Sequence, residues 1–129
     1  GFFNSHFTGE VKDAINALRS AGHIAGIASN NFQELIDRFV ATGGLEFDIV
    51  LGFRPGFEKG PQHFDFVRHK YGLSKGDLTF VGDSLKDAEK AFDYGIGFVG
   101  ICGTFRPEDF RKIREDIVTI ESMKELLYL

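Results

Sequence analysis

The stretch Leu78-Thr79-Phe80-Val81-Gly82-Asp83-Ser84-Leu85-Lys86-Asp87-Ala88-Glu89-Lys90-Ala91 constrains the fold more than any other part of the chain. Its first four residues are apolar or β-branched, as in a short strand buried on both faces, and Gly82-Asp83-Ser84 breaks the run where a strand would end. A helix is predicted to follow. Ser84 caps it, Asp87 stands where a capping-box acid reaches back, and Leu85, Ala88, Ala91 and Phe92 form its apolar stripe. Asp83 then leaves the strand tip and Asp87 stands one helical turn on. Two carboxylates so placed make an all-oxygen donor set suited to a hard cation such as Mg2+, which takes one or two carboxylates together with water and phosphate. The alternative, on this stretch alone, is that Asp83 only makes the turn and Asp87 only caps the helix.

The rest of the chain repeats the same alternation. Val11, Ala14, Ile15, Leu18 and Ala21 recur at helical spacing from Gly9 to Ala21, and Gly22 ends that helix. His23 to Ala28 reads as a buried strand, closed by Ser29-Asn30-Asn31, which opens a helix with Phe32, Leu35, Ile36, Phe39 and Val40 on one face. A second strand spans Phe47 to Leu51, a Gly- and Pro-bearing loop spans Gly52 to Gly60, and Pro61 starts a helix that Gly72 ends. After the helix that closes near Tyr94 come an apolar run from Ile96 to Ile101, a polar helix from Pro107 to Glu115, a strand at Ile117-Val118-Thr119 and a last turn around Met123 to Leu127. Strands alternating with amphipathic helices imply βαβ units: a parallel sheet with right-handed crossovers and helices on both faces. Ligands of such sheets bind beyond the carboxyl ends of the strands, and Ser29, the Lys59 loop and Asp83 each follow a strand there.

Composition narrows the function. The 129 residues contain no linker or repeat and are read as one domain, 1–129. A net charge of −4 with scattered basic residues gives no field for nucleic acid. The single cysteine, Cys102, excludes an internal disulfide and a Cys-rich zinc cluster and suggests a reducing, cytoplasmic home. No apolar run approaches the roughly 20 residues of a membrane span, and no signal peptide is legible. The chain opens on Gly1 rather than Met, which suggests a trimmed tag or a natural start further upstream.

Ser29, with the amides of Asn30 and Asn31, would suit a phosphate oxygen at a helix N-terminus, or would serve as an ordinary N-cap. Lys59 in its loop is either a functional cation or a solvated one. His6, His23, His63 and His69 share no metal-ligand spacing; His23 reads as strand packing, and His63 and His69 as helix surface.

Ile24-Ala25-Gly26-Ile27-Ala28-Ser29-Asn30, then Lys59 ahead of a helix, then Phe80 to Ala88, resemble in order and spacing the second, third and fourth motifs of the haloacid dehalogenase (HAD) superfamily. The likeness spans nearly the whole chain, and its last motif is the most specific. The resemblance implies a three-layer, Rossmann-like α/β sandwich with a mainly parallel sheet. It gives Ser29 and Asn30 to binding the transferring phosphoryl group, Lys59 to neutralising that group and orienting the nucleophile, and Asp83 and Asp87 to Mg2+. A phosphoryl group carrying spread negative charge is indeed stabilised by a hydroxyl, an ammonium and a metal. The Gly-Asp-Ser form resembles the metal-dependent phosphatases and phosphomutases rather than the dehalogenases.

One departure is severe. Members of the superfamily carry Asp-x-Asp-x-Thr, whose first Asp is the nucleophile and whose second is the general acid-base, and no Asp-x-Asp occurs in these 129 residues. Either the natural N-terminus is missing and Phe2 to Thr8 only leads into the first helix, or Phe3 to Thr8 is a degenerate motif with Asn4 and His6 at the aspartate positions. In the superfamily's sheet the nucleophile strand lies between the strands ending at Ser29 and Asp83. That central strand is therefore expected to be missing, or replaced by Phe2 to Phe7, a second chain or direct pairing of its neighbours. The space between Asn31 and Lys59 fits one helix and one strand, which leaves no room for a large cap. The expected function is a Mg2+-dependent phosphomonoesterase acting on a small phosphorylated metabolite, inactive in this chain for lack of the nucleophile, with a homodimer possible through an exposed sheet edge. The alternatives are a non-catalytic homologue that binds a phosphorylated ligand or a partner protein and, third, a receiver-type signalling domain.

Overall fold

The computed structural model describes residues 5–129, with side chains from residue 10 onward. It forms two compact units, one of residues up to Lys59 together with Met123–Leu129, the other Gly60–Ser122. The first contains α1 (Ser5–Ser20), β1 (Gly26–Phe32), α2 (Gln33–Gly43) and β2 (Ile49–Phe53), and a closing 3-10 turn, Met123–Tyr128, that packs on α1. The second contains α3 (Pro61–Tyr71), β3 (Thr79–Gly82), α4 (Leu85–Tyr94), β4 (Gly97–Ile101), α5 (Pro107–Arg111) and β5 (Val118–Ile120).

In the first unit β1 and β2 run parallel, with Gly26, Ile27 and Ala28 opposite Ile49, Val50 and Leu51. Asp48 locks the start of this pair. Its N–H donates to the Ala25 carbonyl (2.8 Å), while its carboxylate accepts the Ala25 N–H (2.8 Å) and the Arg19 guanidinium near the end of α1 (3.1 Å). One side chain thus ties a helix end to two strand starts. The buried core is Ala14, Ile15, Ala25, Ile36, Leu45, Ile49 and Leu51. The strand expected from His23 begins at Gly26 instead, and it is half-exposed rather than buried, because β2 is its only sheet partner among the described residues. His23 lies exposed in the turn after α1.

In the second unit the strand order is β3-β4-β5, all parallel. The middle strand, β4, has neighbours on both sides, and four of its five residues are buried, as the continuous apolar run requires. β3 has a neighbour on one side only among the described residues, so Phe80 and Val81 are half-buried; the expectation of burial on both faces fails there. The core is built largely from phenylalanine. Phe98 packs against Phe80, Phe92 and Phe110 at centroid distances of 6.0–6.2 Å, and Phe64 meets Phe80 at 5.0 Å. The polar helix expected to Glu115 ends at Arg111.

Residues Ser5 to Phe7 are helical, so the replacement of a central strand by Phe2 to Phe7 does not hold for its described part, and His6 lies in α1 rather than at a strand tip. Phe2, Phe3 and Asn4 fall outside the described residues. Direct pairing of β1 with β3 is not among the ladders of the described residues.

The Ala25 N–H, and then Arg19, hold the Asp48 carboxyl below its ordinary value of 3.8, burial offsetting part of the effect. A depressed acid stabilises the fold above its unfolded value, and that contribution is lost as pH falls through the lowered one. Asp48→Asn is therefore expected to lower stability at neutral pH and to flatten the loss of stability on acidification below about pH 4, measured by urea unfolding across a pH series.

Candidate functional site

At the end of β3 the chain bends through Asp83, and Ser84 starts α4 in extended conformation, its hydroxyl accepting the Asp87 N–H at 3.1 Å. Ser84 is the predicted cap, while the Asp87 side chain, expected to reach back to it, lies against Gly82. Ala88 and Ala91 turn the same face of α4 into the core, and this carries Asp87 inward until the residue is only 3% exposed. A Cβ on Gly82 would stand 2.6 Å from the Asp87 Cβ and 2.7 Å from its Oδ2, so the carboxylate lies directly against the bare backbone of the strand tip. A side chain at position 82 would overlap Asp87 unless one of the two shifts. Asp83, half-buried, occupies the adjoining position in the chain.

Burying a carboxylate is unfavourable unless charge or hydrogen bonds compensate it. No group of three or more His, Cys, Asp or Glu side chains that could hold a metal occurs among the described residues, and the acids at this strand end are two, Asp83 and Asp87. That set fits a magnesium-type ion, which keeps several waters and takes few protein ligands, and does not fit zinc or copper.

The first unit brings together the other residues singled out by sequence. The β1–β2 ladder runs regularly to Ala28↔Leu51 and resumes at Phe32↔Phe53, so Ser29, Asn30 and Asn31 stand opposite Gly52 alone. Such irregularities re-aim side chains that a regular ladder would hold in the pleat. Gln33 bonds to β2 at the break: its Oε1 accepts the Gly52 N–H (2.7 Å) and its Nε2 donates to the Val50 carbonyl (3.1 Å). Gly52 must be glycine here, since a Cβ would fall 2.6 Å from the Gln33 Cα.

Ser29 was expected to open α2. The helix starts at Gln33 instead, with Phe32 at the N-cap, and the Ser29 hydroxyl accepts the Asn31 N–H at 3.0 Å. The proposed cradle of Asn30 and Asn31 amides is accordingly not a helix N-terminus, and the Asn31 amide is engaged by Ser29. Asn30 reaches across to the next loop, where its Oδ1 accepts the Lys59 N–H at 2.8 Å. Ser29, Asn30 and Lys59 therefore share one end of the β1–β2 pair. Gln33 was not anticipated; a polar residue on the apolar side of a helix start, facing a strand glycine, is its only sequence signal.

His63 is corrected. It is fully buried in α3 beside Phe64, not on the helix surface, as its spacing four residues before Val67 would have indicated. His69 is exposed, as expected.

Gly82→Ala is expected to destabilise the chain by about 1–3 kcal/mol through overpacking against Asp87. In the Asp87→Gly background, which removes the Cβ as well as the carboxylate, the same substitution should cost much less, a non-additivity that a double-mutant cycle in urea measures.

With this geometry in hand, the haloacid dehalogenase-like hydrolase family model matches residues 4–101. A phosphoglycolate phosphatase of Haemophilus influenzae is 25% identical over 95 residues, which cover 70% of this chain and 42% of that protein. The chain thus spans less than half the length of this curated relative. Among solved structures, a protein assigned as a phosphoglycolate phosphatase from Lactobacillus delbrueckii superimposes with a TM-score of 0.77 at 21% identity, over 91% of this chain and 50% of that one. An L-2-haloacid dehalogenase from Xanthobacter autotrophicus gives a TM-score of 0.72 at 19% identity, over 93% and 59%. These likenesses establish a shared α/β fold, and the family match, which covers well over half of the sequence and runs from α1 to the end of β4, establishes that the chain belongs to the haloacid dehalogenase-like hydrolases.

Proposed function

We propose that the protein is a Mg2+-dependent phosphomonoesterase acting on a small phosphorylated metabolite, and that these 129 residues supply its phosphate- and metal-binding groups without its nucleophile. The observation that carries this reading is the Asp87 carboxylate, buried against Gly82 at the tip of β3 next to Asp83. Asp83 and Asp87 would hold the cation, whose charge supplies stabilisation of the developing negative charge on the phosphoryl oxygens. The Ser29 hydroxyl, whose lone pair already takes the Asn31 N–H, has its proton to donate to a phosphoryl oxygen. Lys59 contributes a positive charge to the same group. The likeness to phosphoglycolate phosphatase favours the phosphomonoester of a short organic acid.

The covalent step has no residue in this chain. With no Asp-x-Asp in the sequence, the proposal assigns the nucleophile and the general acid-base to a segment outside these residues. The same fact favours the second reading, a non-catalytic homologue that binds a phosphorylated ligand.

Activity separates the two. The 129-residue chain is expected to show no turnover of p-nitrophenyl phosphate or 2-phosphoglycolate with Mg2+, and a version extended upstream by an Asp-x-Asp-x-Thr segment is expected to turn over both. Asp83→Asn in the extended version should lower kcat by about 10²–10³-fold, the scale of losing one charge-stabilising group. Turnover by the short chain that vanishes in Asp83→Asn would overturn the assignment of the nucleophile; an inactive extended version favours the binding reading.

A further inference from the structure

The hydrogen bond from the Lys59 N–H to the Asn30 side chain joins two segments 29 residues apart. A backbone N–H only donates, so the atom 2.8 Å away is the carbonyl Oδ1, and the amino group of the same amide points the other way across Cγ. The held N–H belongs to the residue whose side chain carries the ammonium, so the bond acts at the root of the Lys59 stem. Both neighbours of this bond are themselves fixed. On one side the Ser29 hydroxyl accepts the Asn31 N–H and pins the backbone around Asn30. On the other, Arg54 and Phe57 exchange backbone hydrogen bonds of 3.1 and 2.8 Å, with the Arg54 guanidinium 4.3 Å over the Phe57 ring. Two residues past that closed turn, the Asn30 bond holds the chain at Lys59.

We propose that Asn30 is a positioning residue: its carbonyl oxygen fixes the backbone of Lys59 and thereby the origin of the ammonium, a role distinct from contacting phosphate through its amino group. The inference rests on the reading of Lys59 as the phosphoryl-binding cation. It makes the acceptor oxygen the property that matters at position 30, which Asp retains and Ala does not.

Two measurements on the 15N-labelled 129-residue chain test it, hydrogen exchange at the Lys59 amide and titration with inorganic phosphate. Asn30→Ala is expected to speed Lys59 exchange by about tenfold, the scale of one net hydrogen bond, while Asn30→Asp keeps the wild-type rate. Phosphate affinity should fall several-fold in Asn30→Ala and further in Lys59→Met. Lys59 exchange unchanged in Asn30→Ala, or equally fast in both Asn30 variants, overturns the proposal, as does phosphate binding that depends on Lys59 but not on Asn30. If the wild type binds no phosphate, the phosphomonoesterase reading fails instead, and the exchange rates alone decide whether Asn30 holds the loop.

Discussion

A carboxylate covers the end of β3 because Gly82 has no side chain. The separation of 2.6 Å between the Asp87 Cβ and the place where a Cβ would stand on Gly82 means that any side chain there would force a shift, and the packing of the second unit brings about that approach. Ala88 and Ala91 let α4 sit close over β3 and β4, and the phenylalanine cluster around Phe98 and Phe110 fixes the sheet beneath it. Ser84 then sets where the helix begins, and so which turn delivers Asp87. A chemically awkward group, a buried acid, is thus held in place by small residues and packing.

The first unit reaches a comparable result by a different device. There the strand itself is interrupted, and three residues stand where the ladder spaces one. Such a break interrupts backbone pairing, and the Gln33 side chain bonds there to the Gly52 N–H and the Val50 carbonyl. Ser29 and Asn30 are thereby taken out of regular pairing, and Asn30 is spent on the Lys59 loop. Both units place their polar residues at carboxyl ends of parallel strands, where α/β folds bind ligands.

What the sequence made legible follows from how local each signal is. The strand, turn, cap and helix from Thr79 to Tyr94 depend on neighbours within four residues, and their positions stand as read, though not the burial of the strand. So do β4, whose apolar run reflects two flanking strands, and the glycine that ends α3. The misreadings involve distant partners. Ser29 looked like a helix cap because nothing local reveals that Gln33, four residues on, bonds to β2. β1 looked buried because its apolar residues carry no record of how many strands flank it. His63 was misplaced for another reason: helical spacing put it on the Phe64–Val67 face, and its polarity was given more weight than its position. The candidate site residues come from type, spacing and the family resemblance, whereas the contact of the Asn30 Oδ1 with the Lys59 N–H required coordinates.

The account centres on Asp83 and Asp87 as ligands of a hard cation at the tip of β3. Mn2+ substitutes for Mg2+ at oxygen sites and broadens nearby NMR signals, so titrating it into the 15N-labelled chain locates the ion directly. The account predicts broadening centred on the amides of residues 82–88 that disappears in Asp83→Asn and in Asp87→Asn while the remaining spectrum is retained. Broadening centred elsewhere, or undiminished in both variants, would contradict it.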